Sequence, residues 1–131
     1  MSGVLYNSYH VSDEGVRQML ENISPVTGLT VYVVSGDRNF VPKGGAKKSD
    51  HLTGRAADFH LNGLSDEHAF ALIRSKWIEI FGDHMEYQVI FHGSNTKTEG
   101  EHIHLGHPTD KGRFGFWKEN SGGNPLYSPI K

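Results

Sequence analysis

The chain has no cysteine. Disulfides and thiolate metal sites are therefore excluded, and any bound metal must be held by His, Asp or Glu. Charge of one sign is also lacking: 13 Lys and Arg against 15 Asp and Glu leave a net charge of -2. The two signs are intermixed, which argues against a nucleic-acid partner bound through bulk electrostatics. No apolar run approaches the roughly 20 residues of a membrane span, so no membrane span is expected. Residues 1–8 carry neither a basic region nor a long apolar stretch. A cleaved signal peptide is accordingly not expected, and export would use another route. The 131 residues suffice for one domain, 1–131, with an ordinary core, expected to act as a monomer. What the chain does have in excess is histidine, nine in all. Their placement has to decide which of them carry chemistry.

Ser12-Asp13-Glu14 opens a helix whose apolar positions Val16, Met19, Leu20 and Ile23 recur at helical spacing, with Ser24-Pro25 expected to end it. Residues 29–34 read as a buried strand rich in β-branched side chains, and the Pro- and Gly-containing stretch 39–50 as a surface loop. Residues 56–61 read as a second strand. Ser65-Asp66-Glu67 caps a helix running through Phe70, Ile73, Trp77 and Phe81 to Gly82. Residues 87–91 and 102–105 are short strands joined by a polar loop, and the Gly- and Pro-containing tail holds one apolar segment around Phe114–Trp117. Strands and helices mix without regular βαβ alternation, so the expected class is α+β.

Two segments carry metal-ligand character. Ser49-Asp50-His51-Leu52-Thr53-Gly54-Arg55-Ala56-Ala57-Asp58 contains a histidine and a carboxylate seven residues apart. On one regular strand they would face opposite ways; a turn at Thr53-Gly54 removes the conflict. Downstream, Glu101-His102-Ile103-His104 places two imidazoles two residues apart, on one face of a strand. An HxH pair alone is commonly incidental. Joined to the His51/Asp58 element it makes a set suited to one zinc ion, with three protein ligands and an open fourth position, as catalytic zinc sites have. Such a site points to hydrolysis.

The signature Ser-x-His-x-x-Gly-x-Ala-x-Asp, here Ser49 to Asp58, resembles that of the D-Ala-D-Ala carboxypeptidase family of zinc peptidases. Lysostaphin-type endopeptidases and the hedgehog signalling domain belong to the same wider group. The resemblance runs from about Ser35 to Leu105. It implies a small antiparallel sheet flanked by helices, a zinc cofactor ligated by His51, Asp58 and His104, and a peptidoglycan stem peptide as partner. Ser35-Gly36-Asp37-Arg38 is similar to the family's Ser-Gly-x-Arg segment, whose arginine polarises the substrate carbonyl; Arg38 thereby becomes a catalytic and substrate-binding candidate. Glu101 stands three residues before His104, as the family's catalytic acid does. Many relatives have tryptophan where this chain has His102.

The roles of Glu101 and His102 compete. Residues 101 and 104 face opposite ways on a regular strand, so Glu101 can serve as proton acceptor only if the strand begins after it or a bulge turns it inward. Otherwise His102, on the face of His104, is the better proton carrier or oxyanion donor. Glu101 is favoured, because an imidazole near Zn²⁺ is harder to keep basic. Ser49 either caps the turn or binds substrate. His60, two beyond Asp58, is a candidate partner behind the ligands. His92 and His107 are placed at the cleft rim and His68 and His84 at the surface, while His10 lies near the terminus. The leading expectation is a zinc-dependent peptidase cutting an amide next to a D-amino acid in cell-wall stem peptides or cross-links, released onto the wall by lysis, secretion or virion delivery. The alternatives are a non-enzymatic zinc-stabilised binding domain and a cytoplasmic D,D-dipeptidase.

Overall fold

The computed structural model describes residues 3–37, 54–93, 101–108, 114–120 and 127–130. Helix α1, Glu14–Thr27, starts where the carboxylate of Asp13 accepts the backbone N–H of Val16 at 2.9 Å. It does not end at Ser24-Pro25. Pro25 lies inside the last turn, and the helix closes at Gly28, whose N–H donates to the Ser24 carbonyl at 2.8 Å. A proline lacks one donor and crowds the preceding turn, but two hydroxyls supply nearby hydrogen bonds. Thr27 Oγ1 donates to the Ile23 carbonyl at 2.7 Å, and Ser24 Oγ to that of Leu29 at 2.8 Å.

The second helical segment is two helices rather than one. Helix α2, Asp66–Ser75, is capped by Ser65, whose side chain accepts the His68 N–H; after Lys76 (φ -116°, ψ 26°) helix α3 covers Trp77–Phe81. Ser75 Oγ donates to the Leu72 carbonyl at 2.7 Å. A hydroxyl that engages the backbone in this way competes with helix propagation, and the break falls one residue later. Past it, Ile80 and Phe81 are buried while Ile78 is exposed.

Seven strands form one sheet: β1 Val4–Leu5, β2 Val31–Ser35, β3 Ala56–Leu61, β4 Gln88–His92, β5 His102–Gly106, β6 Gly115–Glu119 and β7 Tyr127–Pro129, in the order β1-β2-β3-β5-β4-β6-β7. The sheet is mixed. Pairs β1–β2 and β4–β6 are parallel, and the other four are antiparallel. The α+β class holds, but a small, purely antiparallel sheet does not. The parallel pairs arise because β2 follows β1 through α1, while β6 joins the free edge of β4 rather than pairing with β5, its sequence neighbour.

Alternation along the strands separates two chemistries. Val31 and Val33 of β2, Ala57, Phe59 and Leu61 of β3, Ile103 and Leu105 of β5, and Val89 of β4 belong to one apolar core. Val16, Leu20 and Ile23 of α1, Phe70 and Ile73 of α2, and Ile80 of α3 complete it, so the helices pack on one face of the sheet. Each such large side chain withdrawn from water contributes about 1.5–3 kcal/mol. The residues between them, Asp58, Ile90, His92, His102, His104 and Glu119, are carried by the opposite face. Among the described residues, no helix is long and apolar enough to cross a membrane.

Candidate metal centre

Strands β3 and β5 pair antiparallel with Asp58 opposite His104. Directly opposed residues share a face and bring their Cβ atoms within about 4.5–5.5 Å. The two most specific residues of the downstream and upstream motifs are thus joined by sheet register alone. His104 Nδ1 lies 3.2 Å from Asp58 Oδ1, and His102 Nε2 lies 3.5 Å from Asp58 Oδ2. Asp58 and His104 are buried, at 7% and 8% exposure, and the His102 side chain is only slightly more open. One carboxylate therefore faces two imidazoles, each toward a different oxygen.

Comparison with known proteins returns nothing: no family model, curated protein or solved structure matches the chain. The fit of a zinc ion rests on the donors themselves. Two ligands held at 2.0–2.1 Å from one tetrahedral ion stand about 3.3–3.4 Å apart, close to the 3.2 Å between Asp58 Oδ1 and His104 Nδ1. Carboxylate oxygen and imidazole nitrogen are both ordinary zinc donors. Among the described residues no group of three His, Asp or Glu side chains is disposed to hold a metal. The expected triad has two members there, because its third, His51, lies outside the described residues together with Arg38 and Ser49.

The described residues flanking that stretch are tightly fixed. Asp37 accepts hydrogen bonds from the Ser12 hydroxyl and from the Ser12 N–H, the latter at 3.2 Å. The Gly54 carbonyl accepts the Asp13 N–H at 3.0 Å. Both flanks are therefore held by the same dipeptide ahead of α1. Gly54 has φ 74°, the left-handed conformation that glycine tolerates best, and β3 begins two residues on. This agrees with the turn expected before Asp58. Gly36 approaches the N-terminal segment so closely that an added Cβ would stand 2.3 Å from the His10 carbonyl oxygen.

Strand β5 begins at His102, one residue after Glu101, and Glu101 is exposed. The strand thus does not force Glu101 onto the core face, while His102 points along the same face as Asp58. Among the described residues, His60 is engaged away from Asp58 and His104. Its Nδ1 is paired with Asp66 Oδ1 at 2.7 Å, which ties β3 to the start of α2. His107 contacts both carboxylate oxygens of Asp13 at 3.1–3.2 Å and packs against Tyr87, with ring centroids 4.6 Å apart. Arg55 reaches the same carboxylate at 3.6 Å and donates to the His107 carbonyl at 2.7 Å. His68 and His84 are exposed, as expected, and so is His10.

His92 is the main correction. It is buried rather than at a rim, and it stands opposite His102 in the β4–β5 register. The two rings stack with centroids 4.4 Å apart and planes at 25°. His92 Nδ1–H donates to Glu119 Oε1 at 2.6 Å, and Glu119 is itself fully buried. Burial, with neighbouring His102 adding to it, pushes the His92 imidazole down to about 4 in spite of the Glu119 hydrogen bond. The signal that could have found this residue was present. Gln88, Ile90 and His92 alternate on one face of a strand, but the expected strand stopped at Phe91. Glu119 carried no local signal, since only the parallel β4–β6 pairing brings it to His92.

A cavity of about 540 Å³ lies elsewhere, lined by Trp77, Phe81, Met85, Tyr87, Phe116 and Ile130 among others. None of the described site residues, Asp58, Glu101, His102 and His104, lines it. Its described walls are mainly apolar.

Proposed function

We propose that the protein is a zinc-dependent peptidase that hydrolyses an amide next to a D-amino acid in the stem peptides or cross-links of bacterial peptidoglycan. The observation that carries this reading is the cross-strand meeting of Asp58 with His104 and His102 on the face opposite the core. His51, Asp58 and His104 would hold the ion. Bound there, zinc supplies Lewis acidity, which in hydrolytic sites makes water nucleophilic near neutral pH.

The chain's own groups would do the rest. Glu101, exposed just ahead of β5, is the preferred acceptor of the proton from attacking water and would return it to the leaving amine. His102 presents Nε2 toward Asp58 and is the rival for that role, or a donor to the developing oxyanion. The guanidinium of Arg38 would hold that oxyanion or a terminal carboxylate, a task for which its fixed fork of donors is suited. The stem-peptide substrate follows from the Ser49–Asp58 signature and its resemblance.

Digestion of purified peptidoglycan with and without chelator, followed by mass analysis of the released fragments, tests the reading. Chelator-sensitive release of single terminal residues marks a carboxypeptidase, and release of uncoupled stems marks an endopeptidase. No release by protein loaded with zinc would overturn the enzymatic reading in favour of a zinc-stabilised binding domain.

A further inference from the structure

A buried carboxylate–imidazole pair is an expensive feature to keep. Removing a carboxylate ion from water costs several kcal/mol, its imidazole partner gives up hydration as well, and well-packed apolar residues often serve stability equally well. Glu119 and His92 form such a pair, 2.6 Å apart, with side-chain exposures of 0% and 5%. Neither residue belongs to the motifs that define the metal centre. The sheet register nevertheless directs the pair at that centre. Glu119 on β6 fixes the His92 imidazole on β4; the His92 ring lies flat against His102 on β5; and His102 Nε2 faces Asp58 on β3. Tyr127 and His104 close over the His92 ring edge-on, with centroids 6.1 and 6.2 Å away.

An imidazole on a strand retains rotation about its two side-chain torsions. His102 has a rigid flat partner on one side and a carboxylate at its tip. Swinging the ring away would break the stack on His92, and His92 cannot follow without breaking its bond to Glu119. A charge-assisted hydrogen bond of this length is among the stronger ones available to a side chain. We propose that His92 and Glu119 are positioning residues that hold the His102 ring with Nε2 directed at the Asp58 carboxylate, and that this orientation serves the hydrolysis proposed above. The second half of the statement rests on the peptidase reading, whereas the first does not.

The test uses the whole chain labelled with ¹³C-histidine, together with the double variant His92→Leu/Glu119→Met, which removes stack and hydrogen bond while nearly conserving volume. In the metal-free wild type, the His102 ring should be as ordered as rigid backbone, with an order parameter near 0.85. In the double variant its order should fall. With zinc added, the variant should retain the wild-type metal content and KM for a wall fragment, while kcat falls about 10- to 100-fold, as when a group behind a catalytic residue is lost. Glu119→Gln, which keeps an acceptor for His92 Nδ1–H, should preserve ring order and most of kcat.

A mobile His102 ring in the wild type would overturn the proposal without any variant, so a misfolded variant leaves it open to refutation. Unchanged ring order in His92→Leu/Glu119→Met would overturn it too. Loss of order with wild-type kcat would overturn the link to the reaction. If the wild type cuts no wall fragment, the peptidase reading fails, and the ring-order comparison still decides whether the pair positions His102.

Discussion

Replacing the His92–Glu119 pair should remove a specific pH dependence of stability. In the folded protein the His92 imidazole is pushed down to about 4, against an ordinary value of 6.5. Above pH 6.5 it is neutral in both folded and unfolded chains and contributes no slope. As pH falls from 6.5 toward 4, the unfolded chain takes up the proton and the folded chain does not, so folding is progressively disfavoured. Below about pH 4 both forms are protonated and the slope vanishes. A separation of about 2.5 units at 1.36 kcal/mol each amounts to about 3 kcal/mol lost across this window. That is a large part of the roughly 5–15 kcal/mol that stabilises a typical domain. Urea unfolding of metal-free protein, followed by circular dichroism at half-unit steps from pH 8 to pH 4, would measure it. At an m-value of about 2 kcal/mol/M the wild-type midpoint should fall by roughly 1.5 M more than that of His92→Leu/Glu119→Met. Parallel curves for the two proteins through that window would refute the reasoning.

Further outcomes follow from the site and its supports. The protein should bind one zinc per chain, and Asp58→Ala or His104→Ala should sharply lower metal content by elemental analysis while His68→Ala leaves it unchanged; full zinc in His104→Ala would remove the proposed ligand set. Glu101→Gln should keep zinc and bind wall fragments yet lose about 10²–10⁴ in kcat, the usual contribution of a general base, with His102→Ala milder. Near-normal turnover in Glu101→Gln and none in His102→Ala would reverse the two roles. Gly36→Ala should cost about 1–3 kcal/mol in thermal or urea unfolding, since its Cβ meets a backbone carbonyl that cannot swing aside; an unaltered unfolding curve would contradict the close approach.

The sequence made some of this legible and hid the rest for identifiable reasons. Strand β3 was readable to the residue, because Ala56–Leu61 is bounded by Gly54-Arg55 and Asn62-Gly63. The start of α1 was readable from Asp13, a good N-cap ahead of a clean 3.6-residue pattern. Its end was not, because the Pro25 signal was outweighed by Gly28 and two hydroxyl-to-carbonyl bonds. The apolar spacing through Phe70, Ile73, Trp77 and Phe81 continued across Lys76 and concealed the break between α2 and α3. Strands β1 and β7 have two and three residues, too few for any periodicity. They exist through the edges they join. In the candidate site, Asp58, His102 and His104 were legible from spacing, whereas His92 and Glu119 meet only through the parallel β4–β6 pairing.

The pleat of β5 has a consequence for how this chain can change. Ile103 and Leu105 point into the core while His102 and His104 point away from it. Losing or gaining one residue within that strand would exchange the two sets, driving imidazoles among Phe59 and Leu61 and exposing the apolar pair. Packing and chemistry would fail together. A slip of two residues restores the faces and moves the strand by about 7 Å. In one direction it brings His102 to the place opposite Asp58 that His104 now holds. The H-x-H spacing is thus a repeat with the sheet's own period, and it leaves an imidazole across from the carboxylate after a length change that would strip it from a strand bearing a single histidine.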